Sequence, residues 1–128
     1  MFGRKLDDKL LDAAFAGDQG VVREVLYRKA DLVNTAATRS ICRHRAGFDE
    51  GDTPLHLAAR GGHQPVVELL LSLKASTNAS NVNGATPLHF AAGGGHTEIV
   101  KMLVARRANP DIVNAMGDTT PSCEQERP

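Results

Sequence analysis

The segment Gly51-Asp52-Thr53-Pro54-Leu55-His56-Leu57-Ala58-Ala59 returns as Gly84-Ala85-Thr86-Pro87-Leu88-His89-Phe90-Ala91-Ala92, so that residue 51 maps onto residue 84, an offset of 33. The match runs on without a gap. Gly62-His63 recurs as Gly95-His96, Val67 as Val100, Leu70 as Leu103 and Ala75 as Ala108. Self-similarity at such a period marks a stack of like units, each too small to bury its own apolar side, and it rules out folds in which every segment plays a different part. It also moves the functional question from a pocket to a surface.

The unit can be read physically. Thr53 and Thr86 are good N-cap residues, and each is followed by Pro at the first helical position, where the missing N–H costs nothing. Leu55, Ala58 and Ala59 predict a short helix with a small-residue face, ended by Gly61-Gly62. A second helix is predicted from near Pro65 through Val66-Val67-Glu68-Leu69-Leu70-Leu71, and its copy is Ile99-Val100-Lys101-Met102-Leu103-Val104. Apolar residues at spacings of one, three and four fit a helix buried on more than one side. Polar stretches follow, Ala75 to Asn83 and Ala108 to Met116, closed by Gly84 and Gly117 as turn signals. The unit is therefore helix, turn, helix, hairpin-like loop.

This pattern resembles the ankyrin repeat. The Gly-x-Thr-Pro-Leu-His-x-Ala-Ala core occurs twice, each time followed by Gly-His and a Val-x-x-Leu-type helix. The resemblance implies an all-α solenoid in which helix-turn-helix units stack and hairpin loops project from them. A degenerate copy precedes the two good ones. Ala13-Ala14 aligns with Ala58-Ala59, Val21 to Leu26 with the second helix, and Ala30 with Ala75. Polar Asp7, Asp8, Lys9 and Asp12 stand where Thr-Pro-Leu-His is missing, as expected of an N-terminal capping repeat. The expected organisation is one domain over 1–128, with a cap at about 5–34, an inserted loop at 35–48, repeats at 51–83 and 84–116, and a truncated repeat and tail at 117–128. The cap sits 45 positions before its counterpart (13 to 58), 12 more than the period, and the insertion carries the surplus. Because 117–128 leaves no room for a helix pair, the chain is expected to be a piece of a longer array or to self-associate through an uncapped C-terminal repeat.

The histidines do not read as metal ligands. His56 and His63 recur as His89 and His96, as the repeat alone requires, and no Cys, Asp or Glu completes a set at useful spacing. The resemblance implies structural roles: His56 and His89 bonded to Thr53 and Thr86, and His63 and His96 tying neighbouring loops. No nucleophile elbow or phosphate loop is present. The Gly93-Gly94-Gly95 run follows a helix, whereas a phosphate cradle follows a strand. No catalytic residue, cofactor or metal is therefore expected, and the chain is not read as an enzyme.

Function is expected on a surface. The resemblance implies a concave partner-binding face formed by hairpin tips and first helices. Its tip positions fall at Asp49, Glu50 and Asp52, at Val82, Asn83 and Ala85, and at Ala115, Met116 and Asp118; Arg60, Gly61, Gly93 and Gly94 line the groove. The first tip reads as acidic and the later ones as neutral, a gradient suited to a partner with one basic and one apolar end. The insertion adds Arg39, Arg43 and Arg45 beside Ile41 and Phe48, read as exposed, which suit an acidic or phosphorylated partner. Asn78, eight residues after Leu70, is a candidate for asparaginyl hydroxylation on the same resemblance. The formal net charge is +0, so nothing favours nucleic acid. No apolar run approaches the ~18–20 residues that span a bilayer. With no apolar signal core and Cys42 and Cys123 far apart, a cytoplasmic or nuclear location is expected. The expected function is a protein–protein interaction module, an adaptor or scaffold. The alternative is a non-catalytic regulatory or targeting part of a larger enzyme or channel.

Overall fold

The structure is a computed structural model that describes residues 6–44 and 47–106. Along the chain it forms helices α1 (Leu6–Ala16) and α2 (Gln19–Arg28), a 3-10 turn over Ala30–Asn34, α3 (Arg39–His44), then α4 (Pro54–Gly61), α5 (Gln64–Ser72), α6 (Pro87–Gly93) and α7 (Thr97–Ala105). The described residues contain no strand. Three helix pairs stack in order: α4 lies between α1 and α6 in one layer, and α5 between α2 and α7 in the other.

Local chemistry fixes where the helices begin. Thr53 Oγ1 accepts from the His56 backbone N–H (3.4 Å), and His56 Nδ1 accepts from the Thr53 N–H (3.0 Å). Thr86 and His89 repeat this at 3.4 and 3.0 Å. The exchange is a capping box in which an imidazole stands where Glu or Gln usually reaches back. Pro54 and Pro87 follow at the first turn. The helix α4 ends at Gly62, which adopts φ 74° and ψ 28°, a left-handed turn that glycine accepts without a Cβ clash. Its copy α6 stops at Gly93. There Gly replaces Arg60, and consecutive glycines weaken a last turn that Arg-Gly sustains.

The core runs through the middle of the stack. The first-helix residues Leu55, Leu57, Ala58 and Ala59 are buried with Leu88, Ala91 and Ala92. The second-helix residues Val66, Val67 and Leu70 pack with Val22, Val25, Ile99 and Leu103. Alanine pairs on the first helices let neighbours approach closely, and Leu and Val on the second fill the space between layers. Fully burying one such Leu or Val contributes about 1.5–3 kcal/mol.

A histidine bond crosses each of the two joints between consecutive units. With Nδ1 accepting, the His56 ring proton is assigned to Nε2, which donates forward to the Ala85 carbonyl (2.9 Å). His63 Nε2 lies 2.8 Å from the Phe15 carbonyl, reaching back to the preceding unit. On the opposite layer, Ser76 N–H donates to Asn34 Oδ1 (2.7 Å) and Arg106 Nη1 to the Leu71 carbonyl (2.9 Å).

The insertion departs from expectation. Residues 35–48 were expected as a loop, but they contain α3. Phe48, expected to be exposed, is only 7% exposed. It meets Phe15 edge to face, with centroids 5.3 Å apart at 72°. The cause is apolar burial: Phe15 on α1 would otherwise lie open to water, and Phe48 covers it. Ala37 is buried too, and its backbone pairs with the first tip through Ala37 N–H to Asp52 O (2.7 Å) and Gly51 N–H to Ala37 O (2.8 Å). The side chain of Ile41, and Arg45 and residues 117–128 entirely, lie outside the described residues.

Candidate functional site

The loop tips and first helices form one connected face. Val82 N–H donates to the Glu50 carbonyl (2.8 Å), joining the second tip to the first. The second tip closes on itself, with Asn81 N–H donating to Ala85 O (2.9 Å) and Gly84 N–H to Asn81 O (2.9 Å). Asn81 Oδ1 accepts from Asn83 and Ala85 N–H at 2.9 and 3.0 Å, which fixes the tip's shape.

Arg60 organises the groove side. Its guanidinium donates from Nη1 to the Gly47 carbonyl (2.7 Å), lies 3.6 Å from Asp49 Oδ2, and stacks over the Phe90 ring at 5.0 Å from the centroid. One side chain thus links the insertion, the first tip and α6. A cation over an aromatic face contributes about 0.5–1 kcal/mol at such a half-open site. Phe90 is half-buried, and Gly93 follows it by three, on the same side of α6. No described side chain or backbone atom stands within 4 Å of where a Gly93 Cβ would be, so α6 offers bare backbone there.

The predicted contact residues divide. Val82 is 63% exposed. Asn83, Gly61, Gly93, Gly94 and Arg43 are exposed as well, and Asp49, Glu50 and Arg60 are half-exposed. Two predictions need correction. Asp52 is completely buried and Ala85 nearly so, because the first tip folds back on the second. Asp52 spends its carboxylate inside the protein, and Ala85 its carbonyl on His56. Neither presents a side chain to a partner. Ala115, Met116, Asp118 and Arg45 lie outside the described residues. Asn78 is exposed in the loop after α5.

The expected charge gradient is also reduced. Asp49 is paired with Arg60, and Glu50 Oε1 lies 3.8 Å from Arg39 Nε. The face therefore carries local ion pairs and not an acidic end. Phe90 and Asn81 were not singled out from the sequence. Phe90 had a signal, since it is where the second copy replaces Leu57. Asn81 had none, because its importance depends on which tip lies beside it.

Burial shifts the proton affinity of three groups on or beside this face. Burial pushes the Asp52 carboxyl from 3.8 up to about 6, against the lowering pull of the Asn81 and Asp49 hydrogen bonds. Burial likewise depresses His56 from 6.5 to about 4, outweighing its bond to Ala85. The half-buried Cys42 thiol is raised by burial and by the nearby carboxylates of Asp52, Asp49 and Glu50. Among the described residues no three His, Cys, Asp or Glu side chains are placed to hold a metal ion, and no helix is long and apolar enough to cross a membrane.

A family model described as ankyrin repeats, in three copies, matches residues 10–114.

Proposed function

The chain belongs to the ankyrin repeat family, and we propose on that premise that it is an adaptor which binds a partner protein through the face just described. Ankyrin repeats are generally protein–protein interaction modules, and their domains are typically non-catalytic. The observation that carries the finer reading is the continuity of the exposed strip. Glu50, Val82 and Asn83 at the tips join through Arg60 to Phe90 and Gly93 on α6. Exposed Val82 and half-buried Phe90 supply apolar anchors, aromatic and Arg side chains are enriched where interfaces are strong, and the bare backbone at Gly93 allows close approach. A scaffold with its tips already hydrogen-bonded loses little order on binding.

The test is affinity capture with the full chain and with a variant carrying Glu50→Arg, Val82→Asp and Asn83→Arg. All three positions are half-exposed or exposed, so the fold should survive, which circular dichroism checks. The expected result is loss of the proteins held by the unaltered chain. Equal recovery of the same proteins would remove this face from the reading.

A further inference from the structure

We propose that Asp52 is a proton-responsive joint that couples the first loop tip to the second. The inference concerns the scaffold itself and holds whatever the face binds. It starts from geometry. Asp52 is fully buried, and its two carboxylate oxygens serve different segments: Oδ1 accepts from Asn81 Nδ2 of the second tip (2.8 Å), and Oδ2 from the Asp49 N–H of its own tip (2.9 Å). Its backbone carbonyl takes the Ala37 N–H of the insertion (2.7 Å). Three segments therefore meet at one residue, two of them at its carboxylate.

The joint occurs once among the described residues. The position equivalent to Asp52 in the next unit is Ala85, so the carboxylate is not part of the repeat pattern. Asp52 stands four residues before His56, and the two reach the same loop, Asp52 to Asn81 and His56 to Ala85. With the Val82 N–H to Glu50 carbonyl bond, the first tip and α4 thus hold the second tip at three points, of which only the Asp52 carboxylate is charged.

The charge is held against its environment. Around it, Asp49 and Glu50 come from its own tip, Arg60 and His56 from α4, and Cys42 from α3. The second tip, Val82 to Ala85, brings no ionisable side chain. Of these groups Asp49 repels the carboxylate and Arg60 attracts it, but Arg60 is engaged by Asp49 and Gly47. Burial dominates, and the carboxyl takes up its proton near pH 6. Whichever oxygen is protonated, the bond it accepts loses its charge assistance, which roughly halves the strength of such a bond. Relief of the buried charge drives proton uptake, and the link between the tips weakens as a result.

The experiment is a pH titration of the full-length chain by NMR from pH 7.5 to 4. It follows the Asp52 carboxyl carbon, the Asp49 amide and the Asn81 side-chain amide. The expected result is one shared midpoint close to 6 at all three. In Asp52→Asn, the Asp49 and Asn81 responses should vanish. A carboxyl carbon that titrates below pH 4.5 overturns the proposal. So does titration near 6 that leaves the Asp49 and Asn81 protons unmoved. Should Asp52→Asn fail to fold, the titration of the unaltered chain still decides between these outcomes.

Discussion

Two residues four apart, Asp52 and His56, are both buried and both titrate away from their ordinary ranges, yet they push stability in opposite directions. As pH falls below 6.5, an unfolded chain protonates His56, while the folded chain refuses that proton until about 4. Stability is lost across that window. Asp52 does the reverse. The folded chain takes up its proton near 6 and the unfolded chain only near 3.8, so acidification between those values adds stability. The two largely offset each other between pH 6 and 4. Replacing Asp52 with Asn leaves His56 unopposed, and the variant's stability should fall more steeply over that range, by up to about 1.4 kcal/mol per pH unit. Urea midpoints measured at several pH values check this, and parallel profiles for the two proteins would contradict it. A second comparison concerns glycine. Gly62 and Gly95 hold the same left-handed φ, 74° and 75°. A Cβ at Gly62 would lie 2.7 Å from the His96 ring, whereas at Gly95 no described atom comes within 4 Å. Both Ala variants should lose about 1 kcal/mol to backbone strain. Gly62→Ala should lose distinctly more, because the His96 ring must move, and equal losses would deny the ring that role.

Among the elements, those set by neighbours in sequence were legible and those set by neighbours in space were not. The starts of α4 and α6 could be read because Thr, Pro and His act within one turn of each other. Thr53→Ala should lower stability by about 1 kcal/mol through the lost cap, with Thr86→Ala similar, measured by urea unfolding. The second helices were legible from their apolar spacing, and α5 begins at Gln64 just before the expected Pro65. The insertion was not. Nothing in residues 35–48 announces that Phe48 meets Phe15 on α1, since the contact exists only once the units have stacked. Likewise Asp52 reads as a tip acid until the second tip closes over it. The structure places Ala37 and Phe48 of the insertion in the core, and Phe48→Ala should cost roughly 3–5 kcal/mol, the range for a buried aromatic. A loop detached from the stack would give a change within about 0.5 kcal/mol.

On the scale of the whole molecule, the described helices pack chiefly within a unit and on the next one, so stability resides in the joints as much as in the helices. Those joints have a sense. His56 gives its proton forward to Ala85, and His63 reaches back to Phe15. The unit between two others therefore reaches out to both neighbours with an imidazole, each time toward a backbone carbonyl. This bears on how such a chain can change length over generations. A tandem duplication of residues 51–83 adds one joint, at which His56 of the first copy meets the residue-52 carbonyl of the second, in the place that the Ala85 carbonyl holds now. A duplication shorter by one residue would put that joint out of register. The duplicated chain, with one more joint, should unfold at a higher urea concentration than its parent.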